Sequence, residues 1–288
     1  MALKDVTGQD KAIRILMKTI QRGRVPSSYL FAGESGIGKK FTAVNLAKAL
    51  NCPQALEGER HSPAEEGPVS PEGFDACDAC SSCRRIDAGI HPDVLVISPE
   101  SGLIKIDAIR TADSFLSLKS FEGMKKVIII DDADAMNQFS ANAFLKTLEE
   151  PPGDSLIILV SSQPERLPDT IRSRCSRLHF TPLSQEDCEH VIRRMLSHPS
   201  DTGNDTPSGK KKKPSSRKAQ RPDIPEEHVS TLVRLCMGRP GAASTGDLIE
   251  ERNRCLRHLE DMIHAEKDGW ASREEMEQWI DYFIKWLC

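Results

Sequence analysis

The chain has 288 residues, of which 38% are hydrophobic and 28% charged, with a net charge of −4 and nine cysteines. This balance indicates a soluble globular protein and argues against a uniformly basic nucleic-acid-binding surface. No apolar run reaches the roughly 18 residues that a membrane span needs, and no apolar leader follows Met1, so we expect a cytoplasmic protein. An odd number of cysteines without a secretory signal argues against a disulfide framework.

The first 182 residues alternate predicted helices and short apolar strands. Strands are predicted at Tyr29–Ala32, Val94–Ile97, Val127–Ile130, Leu156–Val160 and, from a weaker signal, Leu178–Phe180. Helices are predicted at Ile13–Ile20, Lys39–Leu50, Ile104–Leu118 and Gln138–Glu150. Unbroken apolar strands that alternate with helices predict an α/β fold with a parallel sheet, in which ligands lie beyond the carboxyl ends of the strands.

From residue 183 onward the predicted elements are all helices. Residues 197–225 interrupt them with Pro, Ser, Gly and the basic run Lys210–Lys213. This composition buries too little apolar surface to offset its ordering entropy, so a disordered insertion is predicted. Its basic run is interpreted as a solvated loop, with contact to DNA phosphates as the alternative. Helices are predicted again at Glu226–Met237, Thr245–Lys267 and Arg273–Leu287.

A phosphate-binding loop follows the first predicted strand. The pattern G-x-x-x-x-G-K-[ST] is met at every position but the last, where Lys40 replaces the hydroxyl residue. In such loops the backbone N–H groups cradle phosphates, the Lys reaches the β- and γ-phosphates, and the hydroxyl ligates Mg²⁺, which an ammonium cannot do. The motif predicts a nucleotide site but leaves ATP and Mg²⁺ binding open. The loop residues assigned to this site are Gly33, Gly36, Gly38, Lys39 and Lys40.

The third strand ends in Asp131-Asp132. An apolar strand ending in Asp is typical of the element that holds Mg²⁺ in nucleotide hydrolases. The next residue in active hydrolases is usually Glu, and Asp132 is one methylene shorter; a misplacement near 1 Å can cost on the order of 10² in rate. Because Lys40 and Asp132 both weaken the same chemistry, we expect no ATP turnover by the chain itself. An ATPase in which Lys39 and Asp131 suffice is the alternative.

A cysteine cluster predicts a metal site. Cys77, Cys80 and Cys83 have two consecutive x₂ spacings, and Cys52 follows the phosphate-loop helix. Four thiolates suit a closed tetrahedral zinc site without catalytic chemistry. Buried free cysteines and a redox C-x-x-C are the alternatives, although a redox motif needs a thioredoxin-like context. His91 is a possible substitute ligand, but its place before Pro92 favours a role in a turn.

An arginine is predicted at the end of a short helix, in Ser173-Arg174-Cys175. An exposed Arg at a domain edge can insert into a neighbour's γ-phosphate site and neutralise the charge that develops in the transition state. From spacing alone a solvated surface charge is favoured.

Several motifs occur together and in order along the chain. The set resembles the bacterial clamp-loader branch of the AAA+ ATPases, densely over residues 5–182 and less beyond. The motifs are Gly33–Lys39, the four cysteines, Gly89–Asp93, Leu145–Pro152 and Ser173–Cys175.

The resemblance implies a hetero-pentamer with gamma/tau and delta subunits that loads a sliding clamp onto primed DNA at the replication fork, with no membrane contact. It implies a rigid subunit with a degenerate ATP site, whose Arg174 completes the ATP site of the adjacent gamma/tau subunit. It also implies that the four cysteines hold structural Zn²⁺. Sensor 1 corresponds to Ser162, and the sensor 2 Arg falls at Gly241, so that sensor is expected to be missing.

The resemblance also implies the domain organisation. An AAA+ domain is expected at 1–182 with its zinc module at 52–83, then a helical lid at 183–246 and a short helical collar at 247–288. The collar is either weak or dependent on partners that cover its apolar stripe. Lys105, Arg110 and Lys146 are candidate contacts for the DNA backbone, with structural salt bridges as the alternative. A zinc-stabilised binding module outside replication is the third reading of the whole chain.

Overall fold

The computed structural model describes residues 1–57, 75–122, 125–197, 226–245, 248–250, 252–254 and 257. The chain folds into two compact units, Met1–Ser184 and Gln185–Cys288. All of the predicted insertion except Ser197 lies outside the described residues, as do nearly all of the predicted collar and most of the segment that joins Cys52 to Cys77. No helix within the described ranges is both long enough and apolar enough to cross a membrane.

The first unit is built on a five-stranded parallel sheet, which confirms the predicted α/β fold. The strand order is β2-β3-β4-β1-β5, and every neighbouring pair is parallel. The strands are β1 Ser28–Ala32, β2 Val94–Ile97, β3 Lys126–Ile130, β4 Ser155–Ser161 and β5 Ser176–His179. The central strands β1, β3 and β4 are buried along their whole length, because helices cover both faces of a parallel sheet.

The weak signal of the last strand has a physical cause. The strand begins at Ser176, two residues before the predicted start at Leu178, and pairs only with β1 at the edge of the sheet. Ser176, Arg177 and His179 are exposed there, so Leu178 is the one buried residue within the strand.

The helices of the first unit follow the predicted pattern with small shifts. One of them, predicted from Ile104, begins at Ile106, because the Ile104 N–H bonds the Ala135 carbonyl and Ile104 forms a β-bridge with Met136. The helices are α1 Asp10–Gln21, α2 Lys39–Asn51, α3 Pro53–Glu57, α4 Ser81–Asp87, α5 Ile106–Ser117, α6 Gln138–Glu149 and α7 Asp169–Arg172.

The main core of this unit includes apolar residues of the sheet together with α5 and α6. Ile128 and Ile157 from the sheet, Ile109 from α5 and Phe144 from α6 belong to one cluster and are fully buried. Burying a side chain of this size contributes about 1.5–3 kcal/mol to the stability of the fold. This packing holds α6 against the sheet, and α6 contains the first residues of the Leu145–Pro152 motif, up to Glu149.

The second unit contains α8 Gln185–Ser197, α9 Glu226–Cys236 and α10 Ala242–Thr245 among its described residues. Helices α8 and α9 pack together. Cys188 and Ile192 of α8 are buried, as are Val229, Leu232 and Cys236 of α9.

Candidate functional site

The phosphate loop lies between the carboxyl end of β1 and the first turn of α2. Gly33 follows Ala32 and approaches the end of β5 so closely that a Cβ there would clash with the Phe180 carbonyl oxygen and lie 2.8 Å from Ile37 Cδ1. Gly36 and Gly38 have φ of 80° and 94°, a region that L-residues rarely adopt. The three glycines therefore permit the tight path of the loop.

Lys39 is the first residue of α2 and lies folded into the loop. Its side chain donates to the Gly33 carbonyl at 2.6 Å and to the Glu34 carbonyl, and the residue is 6% exposed. Burial lowers the pKa of Lys39, although the carboxylates of Asp132 and Asp131 oppose that shift. An anion bound in the loop would compete with these two carbonyls for the ammonium.

Lys40 forms an ion pair with the Asp at the end of β3. Its Nζ lies 3.0 Å from Asp131 Oδ2 and donates to Ser98 Oγ at 3.4 Å. Mg²⁺ requires oxygen ligands in octahedral geometry. Here the motif's hydroxyl is replaced by an ammonium that contacts the very carboxylate expected to hold the ion. The residues present therefore do not fit a divalent metal at this position.

Two further carboxylates line the same edge of the sheet. Asp132 has a left-handed backbone with φ of 45°. Its pKa is raised by burial and by the nearby charges of Asp131 and Asp134. Asp134 accepts a hydrogen bond from Ser161 Oγ at 2.5 Å and one from the Ser162 backbone N–H at 3.1 Å. Sequence reasoning assigned Ser162 and missed Asp134 and Ser161, although Asp134 belongs to an acidic run directly after the strand.

The four predicted metal ligands come together. The Sγ atoms of Cys52, Cys77, Cys80 and Cys83 all lie within 4.8 Å of one another, and those of Cys52 and Cys80 are 4.0 Å apart. A Zn–S bond of about 2.3 Å places tetrahedral sulfurs nearly 4 Å apart, so the cluster fits a zinc ion. The cluster could hold a structural metal ion, because four protein ligands leave no coordination position open for a substrate or water.

The backbone of the cysteine segment supports the cluster. The N–H of Cys80 donates to Cys77 Sγ at 3.3 Å, and the N–H of Cys83 donates to Cys80 Sγ at 3.4 Å. Burial acts to raise the pKa of Cys77, but hydrogen bonds from backbone N–H groups, Cys80 first, lower it to about 7. Burial raises the pKa of Cys52, and burial together with the contact to Cys80 raises the pKa of Cys83.

His91 is not part of the cysteine cluster. Its Nδ1 accepts the Asp93 N–H at 3.1 Å, as a turn residue would, while its Nε2 lies 3.0 Å from Ser82 Oγ and 3.3 Å from Glu122 Oε2. Ser82 Oγ uses its only hydrogen to donate to the Asn51 carbonyl. The hydroxyl oxygen therefore accepts a hydrogen bond from the His91 Nε2–H. Burial lowers the pKa of His91, which favours the neutral ring. His91, which belongs to the Gly89–Asp93 motif, thus links Ser82 of α4 to Glu122 in the segment before β3.

A buried lysine joins the start of the chain to the cysteine module. Lys48 is 0% exposed and donates to the Met1 carbonyl at 2.7 Å and to the Asp87 carboxylate at 3.0 Å. It also pairs with Asp78, which lies between Cys77 and Cys80. Nothing in the sequence around Lys48 signals this role, because its partners come from other segments.

Arg174 lies just after α7 and contacts another of the motifs. Its Nη2 donates to Glu149 Oε1 at 2.6 Å and its Nη1 to the Thr170 carbonyl at 2.8 Å. Glu149 is the last residue of α6, so the structure brings Leu145–Pro152 and Ser173–Cys175 together. The Arg174 side chain keeps 35% of its surface exposed.

Arg174 and the phosphate loop lie at opposite ends of the sheet. Strand β5 runs parallel to β1 with Ser176 opposite Tyr29 and His179 opposite Ala32. Arg174 therefore precedes the amino end of β5, whereas Gly33 follows the carboxyl end of β1. At about 3.3 Å per residue, the backbones at these two places are more than about 13 Å apart along the strands.

The candidate DNA contacts are surface residues. Lys105 is the N-cap residue of α5 and is exposed, and Lys146 is exposed in the last turn of α6. Arg110 lies 3.3 Å from Asp107 with both side chains largely exposed, a pair that contributes little to stability. Gly241, the position assigned to sensor 2, immediately precedes α10 in the second unit.

A parallel sheet with a phosphate loop after β1 and an Asp at the end of β3 defines an α/β fold of the AAA+ type. Residues 8–184 match the model of the family described as DNA polymerase III, delta subunit, and the chain belongs to that family.

Curated relatives support the same assignment. The chain is 37% identical to DNA polymerase III subunit delta' of Bacillus subtilis over 63% of this chain and 50% of that protein. It is 38% identical to subunit delta' of Pseudomonas aeruginosa over 54% and 43% of the two chains. It is 32% identical to subunit tau of Salmonella typhimurium over 67% and 27%. The matched region spans half or less of the length of these relatives.

Solved structures show more distant similarity. A DNA polymerase III gamma subunit-related protein from Thermotoga maritima has 24% identity and a TM-score of 0.42, covering 63% of this chain and 49% of that one. A single-residue variant of RuvB from Thermotoga maritima has 14% identity and a TM-score of 0.49, covering 98% and 71%.

Proposed function

We propose that this chain is a delta-prime-type subunit of a clamp loader, which does not turn over ATP and supplies Arg174 to the ATP site of an adjacent gamma/tau subunit. In this role it assembles with gamma/tau and delta subunits into a pentamer that places a sliding clamp on primer-template DNA. The family match and the delta' and tau relatives support the clamp-loader assignment.

The placement of Arg174 carries the proposal of a trans role. The residue lies at the amino end of the sheet, while the phosphate loop of the same chain lies at the carboxyl end. An arginine side chain cannot span that separation, so Arg174 has no route to the nucleotide site of its own chain. Its partly exposed guanidinium remains accessible to the phosphates of a neighbour, where arginine fingers act.

The nucleotide site of this chain supports the lack of turnover. Lys40 contacts the carboxylate that would hold Mg²⁺, and Asp132 has a short side chain, a left-handed backbone and a raised pKa. Metal ions neutralise the charge that develops during phosphoryl transfer. A site that cannot hold the ion loses this stabilisation of the transition state.

ATP turnover by a reconstituted loader that carries Arg174→Ala tests the proposal. Arginine fingers raise kcat about 10³–10⁵-fold. We therefore expect the ATP turnover of the neighbouring gamma/tau site to fall by a factor of at least about 10³. Arg177→Ala is a matched control, because Arg177 is a nearby arginine that also pairs with a carboxylate, Glu165. Normal turnover with Arg174→Ala would contradict the trans role.

The isolated chain provides the second measurement. We expect no ATP hydrolysis above background. Steady hydrolysis that is lost on Lys39→Ala would instead identify an active ATPase of the gamma/tau type. Failure of the chain to assemble with gamma/tau subunits would favour a binding module outside replication.

We also propose that the four-cysteine cluster binds structural Zn²⁺. The mutual distances of the four Sγ atoms and their x₂ spacings support a closed tetrahedral site. The metal would join the end of α2 to the segment before α4, and the ion pair between Lys48 of α2 and Asp78 links the same two parts of the chain.

A further inference from the structure

We propose that the phosphate loop binds a nucleoside diphosphate without a divalent metal, and that the Lys40 ammonium provides the positive charge that Mg²⁺ provides in hydrolytic sites. This inference rests on the proposed non-hydrolysing function and names the ligand class of its nucleotide site.

The position of the ammonium is the first step. Lys40 directly follows Lys39, so its backbone occupies the position from which a Ser or Thr hydroxyl would ligate the metal. Its Nζ reaches Asp131 Oδ2 at 3.0 Å and Ser98 Oγ at 3.4 Å, which lie at the carboxyl ends of β3 and β2. The cation of this site is thus part of the chain and lies beside the acid that otherwise faces the metal.

The remaining groups define the anion. Lys39 is held by the Gly33 and Glu34 carbonyls, and a phosphate is a stronger, charged acceptor for the same ammonium. The loop supplies backbone N–H groups at the start of α2, a helix of 13 residues. The Lys39 ammonium and the backbone N–H groups of the loop can bind phosphates whether or not a metal ion is present.

Charge favours a diphosphate over a triphosphate. In hydrolytic sites the metal bridges the β- and γ-phosphates. Lys40 contributes a single positive charge where the metal contributes two, and that charge is already paired with Asp131. Asp132 and Asp134 add negative charge nearby. A γ-phosphate at this place would have too little neutralisation, whereas the α- and β-phosphates would be held by the loop and Lys39.

Equilibrium binding of ADP to the full chain, in EDTA and in excess Mg²⁺, tests the inference. We expect ADP to bind best in EDTA, because Mg²⁺ sequesters the metal-free anion in solution. Lys40→Thr restores the metal-ligating hydroxyl and should reverse the sign, so that Mg²⁺ tightens ADP binding by about tenfold, or about 1.4 kcal/mol. Lys40→Arg keeps a cation beside Asp131 and should retain the preference for EDTA. Lys39→Ala should weaken binding in both conditions.

Tighter ADP binding by the natural chain in Mg²⁺ would overturn the inference, and so would a lack of ADP binding in both conditions. If Lys40→Thr does not fold, the natural chain and Lys40→Arg still decide the sign of the Mg²⁺ effect. Neither result depends on Arg174, so the trans role in a neighbour's ATP site stands or falls by its own experiment.

Discussion

The guanidinium of Arg174 and the carboxylate of Glu149 form a hydrogen bond of 2.6 Å that joins two sequence motifs. Glu149 is the last residue of α6, where a negative side chain is unfavourable beside the negative end of the helix dipole. Arg174 offsets this charge. The same contact means that a neighbour's phosphates must compete with Glu149 for the guanidinium.

Glu149→Gln is therefore expected to help Arg174 to reach a neighbouring ATP. An exposed ion pair contributes at most about 1 kcal/mol, so the ATP concentration for half-maximal turnover of the reconstituted loader should fall by up to about fivefold. When Glu149→Gln is combined with Arg174→Ala, the turnover should fall as far as it does with Arg174→Ala alone. A loss as large as that of Arg174→Ala would show instead that Glu149 holds the arginine in its working position.

Loss of one thiolate should release the metal. We expect Cys83→Ser to reduce zinc, measured by elemental analysis, below about half an equivalent per chain and to lower Tm by about 10 °C. Cys175→Ser is the control, since Cys175 is a free thiol outside the cluster. Chelation of the unsubstituted chain should lower Tm similarly, which separates metal loss from the loss of a buried side chain. Full zinc content in Cys83→Ser would contradict the four-thiolate site.

Lys48→Met should destabilise the first unit by about 2 kcal/mol, because it leaves the Met1 carbonyl and two partly exposed carboxylates without their buried cation. Lys4→Met, at an exposed lysine, is the control. Urea unfolding at neutral pH measures the difference. An unchanged midpoint would show that the ion pairs contribute no net stability.

The effect of Lys48 should depend on pH. Burial acts to raise the pKa of Asp78, but the Lys48 ammonium outweighs it and holds the pKa below its ordinary value. A depressed carboxyl pKa contributes stability that is complete above the unfolded value, about 3.9, and is lost as the pH falls through the folded value. The difference between the natural chain and Lys48→Met should therefore narrow below about pH 4. A difference that stays constant to lower pH would contradict the role of Asp78.

Gly33→Ala should destabilise the chain by roughly 3 kcal/mol, since the new Cβ would clash with the Phe180 carbonyl oxygen in an already strained backbone. Gly153→Ala is the matched control, because Gly153 also has a positive φ but no atom within 4 Å of the added Cβ. It should cost about 1–2 kcal/mol from backbone strain alone. Equal losses of stability in the two variants would show that the contact with Phe180 relaxes freely.

Local patterns were sufficient to predict the sheet and the four cysteines that the structure brings together. Buried parallel strands have continuous apolar runs, so β1 to β4 are visible in the sequence, whereas the exposed edge strand β5 is not clearly visible. The phosphate loop and the cysteine segment have fixed spacings within short stretches, and these spacings reflect the geometry of the ligand. Asp134 and Ser161 were missed because they meet only when β3 and β4 lie side by side.

Local patterns along the chain predict a parallel α/β sheet, a phosphate loop with Lys40 in place of a hydroxyl, and a metal site from the spacing of four cysteines. The contact of Lys40 with Asp131, the burial of Lys48 beside Asp78, and the position of Arg174 at the end of the sheet opposite its own phosphate loop became visible only in the folded chain. The reason is physical. Periodicity and motif spacing depend on neighbours along the chain, while a pair of charges from distant segments depends on strand order and on the packing of helices against the sheet.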